Sequence, residues 1–243
     1  MATYVLVGGA WIGSWAWRDV AAELRAQGHE VYPLSLTGLA ERVHLGGPDV
    51  NLDTHIADVA NLISFEGLDQ VVLAGHSYAG SVITGAADRV PEQLARVVFV
   101  DSAPLADGMR MLDLSSPEGA EQLRAKVAAT GEGWKLHMPS FDELSEDASL
   151  DGLTAEHLDL MRRKATPHPF GTYEQPLRLT HGGWASGDFE RGLIACHDFH
   201  SLLDAGLPQL AFLKEPGWRI EHLPTGHWPM LSMPKELAAV LMA

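Results

Sequence analysis

The stretch that decides the fold is Val71-Val-Leu-Ala-Gly-His-Ser-Tyr-Ala-Gly80. Its first four residues, Val71 to Ala74, form an apolar run that predicts a buried strand, and Ser81 to Asp88 can continue as a helix. Ser77 therefore lies at the tip of a sharp turn between a strand and a helix. The pattern predicts a serine whose hydroxyl oxygen is exposed above the end of a sheet.

A turn of this kind strains the backbone of its central residue and brings the flanking residues close together, so small residues are needed on both sides. Gly75 and Ala79 supply them, although the strict G-x-S-x-G pattern has glycine at the second of these positions. The helix that begins after Ser77 directs the backbone amide of Tyr78 toward any oxyanion that forms beside the serine. We therefore predict Ser77 as a nucleophile and the Tyr78 amide as an oxyanion donor.

A second segment offers the base that a serine nucleophile requires, because a serine hydroxyl stays protonated at neutral pH. His227 lies in Leu223-Pro-Thr-Gly-His-Trp-Pro-Met230, between a predicted strand (Trp218 to Leu223) and a last helix that starts near Pro234. A histidine in such a loop can reach across the carboxyl edge of a sheet. We predict His227 as the general base.

A third segment, Tyr4-Val-Leu-Val-Gly-Gly-Ala-Trp11, is a strand that runs into a glycine-rich loop. The glycines allow the backbone to approach a ligand closely, so the amide of Ala10 is predicted as the second oxyanion donor and Trp11 as a substrate contact. A nucleotide-binding loop is the alternative. The segment lacks G-x-G-x-x-G and Gly-Lys-Ser/Thr, and no acidic residue closes the second strand, Glu30 to Leu36. We predict no cofactor.

Together these segments resemble the serine-dependent α/β-hydrolase superfamily, and most of all its branch of small plant methylesterases, hydroxynitrile lyases and bacterial carboxylesterases. The resemblance covers nearly the whole chain and rests on Gly8 to Trp17, Leu36 to Leu45, Asp53 to Val59, the Ser77 turn, Val100-Asp101, Pro169 to Thr172 and Gly226-His227. It implies a Ser-His-Asp triad and an oxyanion hole of two backbone amides. The family usually has histidine where this chain has Gly8, but a hole built from backbone amides does not depend on that side chain.

The acid of the triad has two candidates. In this fold the chain order is nucleophile, acid, base, which places the acid between Ser77 and His227. Asp198 follows a predicted strand and leaves room for one helix and one strand before His227. Asp101 ends the strand after the turn helix, where some relatives carry the acid, but a strand-ending aspartate also often caps the next turn. We predict Asp198 and keep Asp101 as the alternative.

Strands and helices alternate regularly at both ends of the chain. The predicted strands are 3–8, 30–36, 70–75, 96–101, 191–196 and 217–223, and the predicted helices are 16–27, 54–65, 78–89, 200–213 and 234–242. This order predicts one α/β domain, 1–243, with an α/β-hydrolase fold: an about six-stranded, mainly parallel sheet flanked by helices. The stretch 103–190 is too long for a loop and contains helical segments broken by prolines. We predict a helical cap there, inserted after the strand ending at Asp101, with the core formed by 1–102 and 191–243.

The composition indicates which binding partners the protein lacks and in which cell compartment it works. The net charge of −15, from 17 basic and 32 acidic residues, argues against nucleic acid and anionic membranes. One cysteine excludes an internal disulfide and, with no basic N-terminal region, predicts a cytoplasmic protein. Cys196-His-Asp-Phe-His200 has metal-ligand residue types but no second such group elsewhere, so we predict no metal site.

These observations predict an enzyme that cleaves a carboxylic ester of a small molecule through an acyl-enzyme. A thioesterase, a lactonase or a carbon–carbon hydrolase would use the same residues, so these alternatives stay open. Hydroxynitrile lyases of this branch carry lysine next to the base, where this chain has Trp228, which argues against a lyase. A ligand-binding receptor on the same fold could also retain the catalytic residue types.

Overall fold

A six-stranded parallel sheet forms the centre of the molecule. The computed structural model describes residues 1–185, 187–206 and 208–243. Strands β1 to β8 span Thr3–Val7, Glu30–Leu34, Val71–His76, Leu94–Val100, Lys135–Leu136, His168–Pro169, Glu190–Ala195 and Trp218–His222. The large sheet has the order β2-β1-β3-β4-β7-β8 with every neighbouring pair parallel, and β5 pairs with β6 as a separate antiparallel ladder. The predicted parallel sheet is confirmed.

Helices cover both faces of the sheet. Helices α1 to α10 span Arg18–Ala26, Leu52–Phe65, Ala79–Arg89, Pro117–Thr130, Phe141–Asp147, Ala155–Lys164, Gly171–Glu174, His197–Asp204, Pro229–Ser232 and Pro234–Met242. Short 3-10 helices span Ser14–Trp17, Ala40–Leu45, Pro91–Gln93, Met111–Leu114, Gly183–Ala185 and Pro208–Lys214. Within the described ranges, no helix combines the length and the apolar character that a membrane crossing requires.

Alternate residues of each strand enter two different apolar cores. In β1, Val5 and Val7 pack with the residues of α2 and α3, whereas Tyr4 and Leu6 pack with those of α1 and α10. A strand that is buried on both faces needs apolar residues at successive positions, which explains the continuous runs in β1, β3 and β4. The sheet is therefore enclosed, and its carboxyl edge is where loops can build a site.

The structure departs from the predicted elements mainly after β7. The helix predicted over 200–213 begins earlier, at His197, and ends at Asp204, because Gly206 adopts a left-handed backbone with φ of +66°. Helices α4 and α6 lie in the stretch 103–190, where the sequence predicts helical segments. The segment between β4 and β7 carries α4 to α7 together with β5 and β6. Its division from the core as a separate cap stays a prediction.

The turn between β3 and α3 depends on a glycine at its base. A Cβ atom added to Gly75 would lie 2.8 Å from Ile83 Cγ2 and 2.9 Å from the carbonyl oxygen of Ala79. Helix α3 thus begins directly above the end of β3, and only the absence of a side chain at Gly75 permits this close approach.

We expect Gly75→Ala to lower the free energy of unfolding by about 1–3 kcal/mol, because a backbone oxygen and a β-branched methyl group must move to admit the new methyl. Urea denaturation measures the change. Gly47→Ala is the matched control, since a Cβ at Gly47 meets nothing within 4 Å. Its free energy of unfolding should stay within about 0.5 kcal/mol of the unsubstituted chain. Equal effects of the two substitutions would contradict this packing argument.

Candidate active site

Ser77 lies where the sequence places it, on the turn between β3 and α3. Its φ of +53° is unusual for a residue other than glycine, and hydrogen bonds to its backbone hold it. Its amide donates to the carbonyl oxygen of Val100 over 3.1 Å, and the hydroxyl of Ser102 donates to its carbonyl oxygen over 2.6 Å. Gly9 of the first loop approaches so closely that a Cβ there would lie 3.0 Å from Ser77 Cβ.

His227 pairs with Asp101. Its Nδ1 lies 2.5 Å from Asp101 Oδ2, and the two side chains are 18% and 3% exposed. A carboxylate accepts hydrogen bonds, so the proton of the neutral imidazole sits on Nδ1 and leaves Nε2 as a base. The prediction of Asp198 as the partner of His227 is therefore wrong, and the alternative, Asp101, occupies that position.

Asp198 supports the loop of His227 from a distance instead. It lies in the first turn of α8, past the end of β7, and its Oδ2 accepts the amide of Ser149 over 2.7 Å. The carbonyl oxygen of Ser149 in turn accepts the amide of His227 over 2.8 Å. As predicted, one helix and one strand, α8 and β8, lie between Asp198 and His227. However, α8 begins at His197, and the Asp198 side chain bonds to the Ser149 loop instead of to His227.

Hydrogen bonds hold both the backbone and the carboxylate of Asp101. Its backbone is left-handed, with φ of +45°, and its amide donates to the carbonyl oxygen of Ile194 over 2.7 Å. Its second oxygen, Oδ1, accepts the amide of Cys196 over 2.8 Å, so both carboxylate oxygens accept a hydrogen bond. Burial, and next the charge of Asp101, raises the pKa of the Cys196 thiol, which therefore stays protonated and unreactive.

A histidine that the sequence analysis did not single out holds the backbone of His227. His76, the residue before Ser77, is buried, and its Nε2 lies 2.7 Å from the carbonyl oxygen of His227. Only a protonated Nε2 can donate to that oxygen. Burial, and next the nearby His227, lowers the pKa of His76 well below its usual value, so the ring is neutral. No sequence signal distinguishes this role from that of a histidine buried in a strand.

The two predicted oxyanion donors, the amides of Ala10 and Tyr78, belong to residues that each line a cavity together with Ser77. Ala10, Ser77 and His227 line one cavity of about 830 Å³. In the described part of the chain, neither amide donates to another protein group. Both are therefore available to a bound oxygen atom.

A second cavity meets the first at the serine. It measures about 560 Å³ and is lined mainly by apolar residues: Leu105, Met109, Met111, Leu114, Phe199, Leu202, Leu210 and Phe212, with Ser77, Tyr78 and Asp101 at one end. The larger cavity contains more polar groups, among them Gln122, Lys126, His137 and Asp147. Trp11 lines the larger cavity, and its role as a substrate contact stays a prediction.

The two histidines that follow Cys196 each lie near one carboxylate. His197 Nδ1 lies 3.5 Å from Asp151 Oδ2, and His200 Nε2 lies 3.7 Å from Asp204 Oδ2. Residues 1–185, 187–206 and 208–243 contain no cluster of three or more histidine, cysteine or carboxylate groups that could hold a metal ion.

Comparison with known proteins gives related chains over the full length. A model of the alpha/beta hydrolase family matches residues 4–240. The chain is 38% identical to the carbendazim hydrolyzing esterase of Nocardioides sp. (strain SG-4G), over 100% of this chain and 99% of that protein. It is 25% identical to a chloroplastic Arabidopsis thaliana protein provisionally named methylesterase 15, over 98% of this chain but only 55% of that protein.

A solved structure shows the same fold. An extracellular alpha/beta-hydrolase from a Paenibacillus species superimposes with a TM-score of 0.81 at 21% sequence identity. The superposition covers 100% of this chain and 98% of that one.

Proposed function

The chain belongs to the α/β-hydrolase family, and from this premise we propose that it hydrolyses a carboxylic ester of a small molecule with Ser77, His227 and Asp101 as its catalytic residues. The observation that carries the proposal is the 2.5 Å contact of His227 Nδ1 with the buried carboxylate of Asp101, in a loop that borders the same cavity as Ser77. The 38% identical relative is named as an esterase, which supports the same reaction class.

The reaction proceeds by acyl transfer. His227 Nε2 takes the proton of the Ser77 hydroxyl as its oxygen attacks the ester carbonyl carbon, and the carbonyl oxygen becomes an oxyanion. The amides of Ala10 and Tyr78 donate to that oxyanion, and one such donor contributes about 3–4 kcal/mol in serine hydrolases. The tetrahedral intermediate collapses, the protonated His227 gives its proton to the leaving alcohol, and water repeats the sequence on the acyl-enzyme.

Asp101 stabilises the charged form of His227 that appears in both steps. Its carboxylate is nearly excluded from water, so its attraction to an imidazolium in contact with it is screened little. Because the Cys196 amide donates a hydrogen bond to the other carboxylate oxygen, Oδ1, rotation of the carboxylate away from the imidazole would break that bond. The Nδ1 proton is thereby held, and Nε2 keeps its orientation for proton transfer.

From the position of His227 we infer which cavity holds which half of the ester. The base must protonate the leaving oxygen, so the alcohol lies on the side of His227, in the larger cavity. The acyl group then extends into the smaller apolar cavity, whose volume of about 560 Å³ is within the range of small-ligand pockets. We infer a substrate with an apolar acyl group of medium size. The alcohol half faces more polar surroundings, which include Lys126 and Asp147.

The first test is the identity of the nucleophile. A fluorophosphonate should modify Ser77 alone, and Ser77→Ala should lose both labelling and ester hydrolysis, because the labelling reaction follows the first half of the acyl transfer. Intact-protein and peptide mass spectrometry locate the adduct. Ser115→Ala is the matched control, since Ser115 lines the same cavity and should leave labelling unchanged. An adduct on another serine, or none on the folded protein, would overturn the proposal.

The second test is the assignment of the cavities. Met109 lines only the smaller cavity and Leu123 only the larger one. With nitrophenyl esters of increasing acyl length, Met109→Trp should lower kcat/KM for octanoate by about 10-fold or more and leave acetate nearly unchanged. Leu123→Trp should instead change the preference among alcohols at constant acyl group.

A reversed pattern of the two variants would exchange the assignment of the cavities. The substrate panel should include carbendazim, a thioester and a lactone, because the same residues could act on each of these groups. A burst of nitrophenol in the first turnover separates an acyl-enzyme mechanism from ligand binding without turnover.

The cytoplasmic location predicted from the single cysteine stays a prediction.

A further inference from the structure

Trp11, the residue after the oxyanion donor Ala10, is held by three hydrogen bonds to the segment between β4 and β7. Its φ of +64° places it in the left-handed region, which a bulky side chain adopts only when its surroundings hold it. Its carbonyl oxygen accepts the amide of Thr166 over 3.0 Å, and its indole Nε1 donates to the carbonyl oxygen of Leu136 over 2.9 Å. Its own amide donates to Nδ1 of His168 over 3.4 Å.

His168 can accept that bond because its other ring nitrogen carries the proton. The Thr172 hydroxyl donates to the carbonyl oxygen of Pro169 over 2.8 Å, so its oxygen acts as acceptor for His168 Nε2, also at 2.8 Å. The ring is buried completely, and this burial, and next the nearby His55, lowers its pKa well below the usual value. A neutral ring with the proton on Nε2 leaves Nδ1 as an acceptor.

The same ring touches the residue that carries the second oxyanion donor. The centroids of His168 and Tyr78 lie 4.5 Å apart in an edge-to-face arrangement. The hydroxyl of Tyr78 bonds His55 Nδ1 over 2.9 Å, and His55 Nε2 donates to the carbonyl oxygen of Thr37 over 2.8 Å. Tyr78 and His55 are both buried. One imidazole from the inserted segment therefore contacts Trp11 through its backbone amide and Tyr78 through its side-chain ring.

We propose that His168 is a positioning residue for the oxyanion hole: by accepting the amide of Trp11 and packing on Tyr78, it fixes the two backbone segments whose amides face the oxyanion. The proposal rests on the proposed function. Its physical basis is that the Ala10 amide belongs to the peptide shared with Gly9, whereas His168 holds the next peptide, between Ala10 and Trp11. Holding that peptide restricts the backbone torsions of Ala10 and with them the direction of the Ala10 amide. Loss of the acceptor at His168 frees this peptide, and the hole then has to be ordered during the reaction.

The test compares two substitutions of His168 in the whole protein. His168→Leu removes the acceptor at similar size, whereas His168→Asn keeps an oxygen acceptor near the position of Nδ1. We expect His168→Leu to lower kcat by about 10- to 100-fold with KM within about 2-fold, because the oxyanion exists in the transition state and not in the bound ester. Affinity for a trifluoromethyl ketone, which forms an oxyanion on the serine, should fall by a similar factor. His168→Asn should recover most of both losses.

A second variant applies where His168→Leu does not fold. Thr172→Val is nearly isosteric and removes the group that fixes the proton of His168, so it should lower kcat and ketone affinity in parallel, by about 3- to 10-fold. Unchanged kcat and ketone affinity in folded variants would overturn the proposal, as would equal losses for His168→Leu and His168→Asn. Fluorophosphonate labelling of Ser77 in the unsubstituted enzyme reports separately on the proposed function.

Discussion

The hydrogen bond between His227 and Asp101 is the constraint on which the rest of the candidate site depends. A buried carboxylate is costly unless donors occupy its oxygens, and here the imidazole and the Cys196 amide do so. The backbone of His227 is held in addition from two sides, by His76 and by the loop at Ser149. His227 therefore has little freedom in position, tautomer or ring orientation.

The segment between β4 and β7 forms hydrogen bonds with Trp11, in the loop after β1, as well as lining the cavities. It supplies part of the walls of both cavities, and it holds Trp11 through its backbone and its indole. In the account proposed here, substitutions in this segment divide into two groups. Those in the cavity walls change which ester is preferred, whereas those at His168 and Thr172 change the rate for every ester.

The fold could be predicted from the sequence because the decisive features are local. Apolar runs define the strands, and the small residues around Ser77 define the turn. The sequence predicts the wrong partner for His227 because that partner depends on where α8 begins, and a start at His197 directs Asp198 to Ser149. His76 and His168 could not be recognised, because a histidine that positions a backbone looks the same in sequence as one that fills a core. Their roles follow from contacts across 151 and 157 residues of chain.

The measurement that tests the central claim most directly compares kcat of Asp101→Asn and Asp198→Asn on one ester at saturating concentration, with circular dichroism to verify folding. An asparagine at Asp101 cannot hold the proton of His227 on Nδ1, so kcat should fall by about 10⁴-fold, as for the triad aspartate of serine proteases. Asp198→Asn loosens only the Ser149 loop and should keep kcat within about 10-fold. Near-normal kcat for Asp101→Asn together with a collapse for Asp198→Asn would contradict the account.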